Sequence, residues 1–167
     1  MANRKRSLYS HKRYWYHVST TLNRKLHKLI PWDSDEGFNR ASDEPEGKRI
    51  CVSPTIEQCI VAIPYSYNSV LYVYRTLNKV RAIKSHGIFD GKVTDEAWIK
   101  SPTYFQKIGK IRFDDIEKEL NIGRDENEDE DSIEVAEEKA TWGELKESRK
   151  LLKWWEKMKI SRFIERS

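Results

Sequence analysis

Apolar and polar positions along this chain fall into short blocks with two different periods. Residues 14–19, Tyr-Trp-Tyr-His-Val-Ser, are dense in β-formers and predict a strand. Leu22, Leu26, Leu29 and Ile30 then recur at helical spacing and predict a short helix that Pro31 stops. Residues 31–48 are crowded with Asp, Ser, Gly, Asn and Pro, which predicts a long surface loop of the kind that carries function. Residues 49–52 predict a short apolar strand. Ser53 as N-cap and Pro54 at the first helical position then open a helix that buries Ile56, Cys59, Ile60 and Ile63.

Residues 70–75 give the clearest strand of the chain. Further strands are expected at 80–83, 93–99 and 108–113, around a turn-rich stretch at 86–91, and a closing helix at 114–120. The order is strand, helix, strand, helix and then a run of strands. That is an α+β pattern with a small mixed or antiparallel sheet and short helices, not regular βαβ alternation. It places an α+β domain at 13–123 behind a basic arm at 1–12. Residues 124–138 are too charge-dense to bury and predict an acidic linker. From 139 to 167, Leu145, Leu152, Trp155, Met158 and other apolar residues recur among lysines and arginines, which predicts an amphipathic helix. Such a stripe seeks a partner: its own domain, a second copy of the chain, or a host protein.

Composition supports part of the chain lying outside a core, since only 38% of its 167 residues are hydrophobic and 35% are charged. The aromatic share of 11% lets the remainder hold a small core. A net charge of +4 says little about partners, but its distribution says more. No Asp or Glu precedes Asp33, while Arg4, Lys5, Arg6, Arg13, Arg24 and Lys25 all fall there. Cys51 and Cys59 sit in apolar segments without metal-ligand spacing, so reduced thiols of a cytoplasmic protein are expected, with a disulfide between them as the alternative. There is no apolar run of membrane-spanning length.

Three places offer chemistry. In Tyr16-His17-Val18-Ser19 the two-residue period puts His17 and Ser19 opposite Tyr16 and Val18, toward a cleft, or else leaves His17 with one structural hydrogen bond. In residues 49–55 a strand runs into a helix start, where free N–H groups suit a phosphate and where Arg49 and Arg75 add charge; an ordinary capped helix is the plain alternative. In residues 93–98, Glu96 lies on the same side as Trp98, a setting that desolvates a carboxylate for use as base or charge stabiliser, unless it is only a solvated edge acid.

Together these segments resemble the ADP-ribosyltransferase superfamily. The resemblance rests on His17 with Ser19, on Ser53 with Thr55, and on Glu96, over residues 14–113. It implies an ADP-ribosyltransferase-like fold and a pocket for NAD or an ADP-ribose-like nucleotide. His17 would contact the adenosine ribose, Ser53 and Thr55 would hold the pocket together, and Tyr65, Tyr67 or Tyr72 would stack on nicotinamide. Glu96 would stabilise the charge at the ribose carbon as nicotinamide leaves. Thr94 stands where arginine-modifying members carry a second Glu or Gln, so arginine is a doubtful target. Two alternatives stand beside the enzyme. One is a non-catalytic protein that captures a nucleotide signal or binds a host protein, since the charge-dense composition is similar to that of phage-encoded anti-defence proteins. The other is a nucleic-acid adaptor using the basic arm and the aromatics Tyr14, Trp15 and Tyr16.

Overall fold

The computed structural model describes residues 9–21, 23–32, 47–62, 70–86, 91–120 and 148–166. Tyr65, Tyr67, most of the basic arm, the body of the loop predicted at 31–48 and the acidic linker lie outside these residues. The strands are β1 (Tyr16–Ser19), β2 (Leu26–Leu29), β3 (Ile50–Val52), β4 (Val70–Thr76), β5 (Ile83–Lys84), β6 (Ala97–Ile99) and β7 (Thr103–Arg112). The helices are α1 (Ile56–Ala62), α2 (Gly91–Thr94), α3 (Phe113–Leu120) and α4 (Ser148–Met158), followed by a 3-10 turn at Ile160–Phe163.

Two antiparallel sheets result, a larger one in the order β1-β4-β7-β2 and a smaller one in the order β3-β6-β5. The α+β class with antiparallel sheets and short helices is therefore as expected. The period of β4 explains the layering. Leu71 and Val73 point to one face of the larger sheet, where they meet Ile56, Ile60, Phe113, Ile116 and Trp155 of the helices. Tyr74 points to the other face and joins Trp15, Ile50, Val52, Ala97, Ile99 and Phe105 between the two sheets.

Several expectations change. The predicted helix over 22–30 is instead the edge strand β2. Each of its residues has a ladder partner on β7 from Leu26↔Gln106 to Leu29↔Thr103, and Leu26 and Ile30 remain 51% and 67% exposed. Helical spacing there has no buried face to serve, and strand pairing wins. The strand predicted at 93–99 is broken. Residues 91–94 make one helical turn, Asp95 takes φ 47, and β6 begins only at Ala97. Gln58 holds this turn, donating from Nε2 to the Val93 carbonyl at 3.2 Å and to Asp95 Oδ2 at 3.0 Å. Ser53 does not cap α1. Thr55 does, accepting from the Gln58 N–H at 3.2 Å and bonding back to Gln58 Oε1 at 3.0 Å. The pattern Thr-x-x-Gln is that of a capping box, here with the Gln58 side chain bonded to the Thr55 hydroxyl, and it stands in the sequence two residues later than the start read there.

Leu145 lies outside the described residues, and the described part of the C-terminal apolar stripe packs on the chain's own domain. Trp155 and Ile160 are fully buried and Met158 nearly so, all in the cluster built on the helix face of the larger sheet. Trp155 lies 5.8 Å from Phe113, ring centre to ring centre. These residues are occupied within the chain and are not available to dock a host protein or a second copy.

Candidate functional site

β1, β3 and β6 meet side by side. Tyr16 and Ser53 exchange backbone hydrogen bonds at 2.9 and 3.1 Å, which joins the end of β3 to the start of β1. β3 pairs with β6 in the register Cys51↔Trp98. The three segments singled out for His17, Ser53 and Glu96 are thus neighbours in space, although far apart in the chain.

Their side chains do different things. His17 faces the space between the sheets, since it pairs with Tyr74 on β4 and packs edge-on to Phe105 at 6.0 Å. Its Nδ1 lies 2.9 Å from the Cys51 carbonyl. That fixes the tautomer, with Nδ1–H donating to the carbonyl. Burial holds its pKa below the usual imidazole value against the opposing carbonyl bond, so the ring is neutral near pH 7. Ser53 is 1% exposed, with Cys59 Sγ close to it.

Glu96 stands at the surface end of this junction. Its Oε1 accepts from Trp98 Nε1 at 2.8 Å, so the carboxylate and the aromatic expected to share a side do so. Trp98 is buried and carries charge on its faces, with the Arg49 guanidinium 4.9 Å and the Lys100 ammonium 5.4 Å from its ring centre. Arg49 is itself buried and donates to the Gly47 carbonyl at 3.3 Å. Cys51 lies among these groups. Burial first, then the Glu96 carboxylate, pushes its thiol up to about 12, while Arg49 opposes the rise. Cys59 is likewise raised to about 12 by burial. Both cysteines are free, yet neither has thiolate character near neutral pH.

A cleft of about 980 Å³ opens in front of Glu96. Arg13, Arg81, Lys84 and Lys92 line it against Asp95 and Glu96, with Tyr9, Trp15, His11 and His86 as ring surfaces. Among the described residues read from the sequence as a nucleotide site, only Glu96 lines this cleft, and Trp15, read as a stacking aromatic, lines it too. His17 and Ser53 are not among its lining residues. Thr55 caps α1 at an exposed position, and Arg75 lies over the Tyr14 ring at 4.5 Å. Tyr72 and the neighbouring Ser19 sit on the larger sheet, where Tyr72 lines a second, smaller cleft. The four cations of the large cleft were missed. Arg81 and Lys84 are three apart, so the two-residue period of a strand would set them on opposite faces, and the sequence carries no local signal that joins them in one cleft. No three His, Cys, Asp or Glu residues group as a metal site among the described residues, and no described helix is long and apolar enough to cross a membrane. No family model, curated protein or solved structure matches this chain.

Proposed function

We propose that the chain is an ADP-ribosyltransferase-like protein whose cleft takes NAD or an ADP-ribose-type nucleotide and which modifies a macromolecular target. One observation carries the reading. The cleft opens at the junction of the three strands that bear the family-like segments, and it sets four cations against one partly sheltered carboxylate. Arg13, Arg81, Lys84 and Lys92 suit a pyrophosphate, and the ring surfaces suit a base or nicotinamide. Glu96, held by Trp98, is the group to stabilise positive charge at the ribose carbon as the glycosidic bond to nicotinamide breaks. His17 acts as a positioning residue, tying β1 to β3.

Nicotinamide release from NAD by the full chain tests this, read beside thermal stabilisation by NAD and ADP-ribose. Turnover is expected in the wild type. Glu96→Gln should lower it on the order of 100-fold while leaving stabilisation intact, as removal of one preorganised charge-stabilising group does. A second reading is favoured by the hydrogen bond that already engages Glu96 and by the burial of His17: a capture protein that binds the nucleotide without turning it over, as an anti-defence protein would. Stabilisation without nicotinamide release selects capture. No stabilisation by NAD, ADP-ribose or cyclic nucleotides sinks both.

A further inference from the structure

We infer that the open end of the larger sheet is a binding surface for single-stranded nucleic acid, on which Lys107, Lys110 and Arg112 take successive phosphates and Tyr72 takes a base. This site is separate from the Glu96 cleft and does not depend on what that cleft binds. The first observation is charge. None of the four strands of the larger sheet contains an Asp or Glu, and neither do the segments 9–32 and 70–86 that supply three of them. A sheet this uniform in sign has an electrostatic partner, and the partner is a polyanion.

The second observation is register. Lys107 and Lys110 are three apart and in a regular strand would face opposite sides. The bulge beside Val73 and Tyr74 corrects this. Lys107 pairs with Tyr74, Lys110 with Tyr72 and Arg112 with Val70, so all three cations stand on the Tyr72 face. Same-face positions on a strand recur at about 7 Å, which makes a ladder of charges along β7. The Lys107 ammonium sits 5.8 Å from the Tyr72 ring centre and donates to Asn23 Oδ1 at 2.9 Å. Exposed Arg24 and Lys25 follow Asn23 in the chain, and the Lys25 carbonyl accepts from the Lys107 N–H at 2.9 Å. A free phosphate would use one pair of cations, whereas a row with an aromatic beside it fits a polymer of phosphates and bases.

The third observation is an anion already in place. Tyr72, Lys107, Lys110 and Arg166 line a cleft of about 270 Å³, and Glu165 is the carboxylate among its described lining residues. Its oxygens lie 3.1 Å from Lys110 Nζ and 3.2 Å from Arg112 Nε. Glu165 reaches them because its backbone pairs with Lys110 across the β7 edge, and because Gly109 has no side chain. A Cβ there would stand 2.5 Å from the Glu165 carbonyl oxygen. The Glu165 carboxylate thus holds the position of a phosphate, and nucleic acid displaces it.

Anisotropy of fluorescent single-stranded RNA and DNA 12-mers, titrated with the full chain, is the test. Binding should weaken roughly 20-fold between 50 and 200 mM salt, the drop expected for about three phosphates on a single strand. Lys107→Gln with Lys110→Gln should lose at least about tenfold, and the exposed Arg112→Gln alone should lose less in the same direction. Glu165→Gln keeps the backbone pairing and should tighten binding severalfold. Absence of binding at 50 mM salt, indifference to the lysine changes in a protein with an unchanged melting curve, or weaker binding by Glu165→Gln each overturns the proposal. Displacement of the 12-mer by inorganic phosphate as readily as by unlabelled 12-mer, phosphate for phosphate, overturns it too. Nicotinamide release is not read here, so this failure and that of the cleft remain distinct.

Discussion

His17 shows how one residue is chosen by the layer it falls in. On β1 it alternates with Val18, which faces the helices, so the imidazole is delivered into the space between the two sheets. There it links β1 to β3 through the Cys51 carbonyl and keeps a depressed pKa because charging it would bury a cation. The sign of the pH effect follows. The folded form resists protonation while the unfolded chain takes a proton at the ordinary imidazole value of 6.5, so the stability from a neutral His17 is present above that pH and is lost as pH falls below it. Urea unfolding measured from pH 7.5 to 5 should show this decline, and His17→Gln should flatten it. An equally steep decline in the variant would assign the effect elsewhere. The sequence had offered His17 either a cleft or one structural hydrogen bond, and it does make that bond. Alternation gave the side of the strand but not what covers that side, because the cover comes from β3 and β6, many residues away.

At the scale of elements, what was legible is what local physics decides. β1, β3, β4 and α3 lie where their β-formers or amphipathic spacing put them. β2 and the break before β6 were illegible for a stated reason. Leu26 and Leu29 satisfy helical spacing as well as any short run, and only the unpaired edge of β7 makes them a strand. Asp95 adopts a left-handed conformation that Asp tolerates, and the side chain that steadies it, Gln58, belongs to α1. The C-terminal helix takes one of the three partners the sequence left open, its own domain. Its apolar stripe was legible, but its partner was not, and that partner is the face made by α1, α3 and the larger sheet. Trp155→Ala should therefore behave as a core truncation and cost about 3–5 kcal/mol in denaturant unfolding. A cost below about 1 kcal/mol, with the helix still formed, would mean that α4 rests on the domain and does not belong to its core.

On the scale of the whole molecule, one sheet serves two cores and two charge regimes. β4 sends Leu71 and Val73 into the helical core and Tyr74 into the core between the sheets, while β7 sends Ile111 to the first and Phe105 to the second. Neither core can be lost without withdrawing one wall of the other. The charge follows the same division. The carboxylates that matter to the large cleft, Asp95 and Glu96, enter from the connection between α2 and β6, and the larger sheet contributes none. The cleft was only partly legible for this reason: Glu96 was found by its neighbour Trp98, whereas Arg13, Arg81, Lys84 and Lys92 gather from segments that no local pattern connects. Shared strands also decide how the chain unfolds. Urea transitions followed by tryptophan fluorescence and by far-UV circular dichroism should coincide in the wild type. Phe105→Leu, a change wholly within the core between the sheets, should move both midpoints together and leave the slope of each transition unchanged. If the fluorescence midpoint moves while the helical signal stays in place, the helical core stands without its neighbour, and β4 and β7 do not couple the two layers as their alternating side chains require.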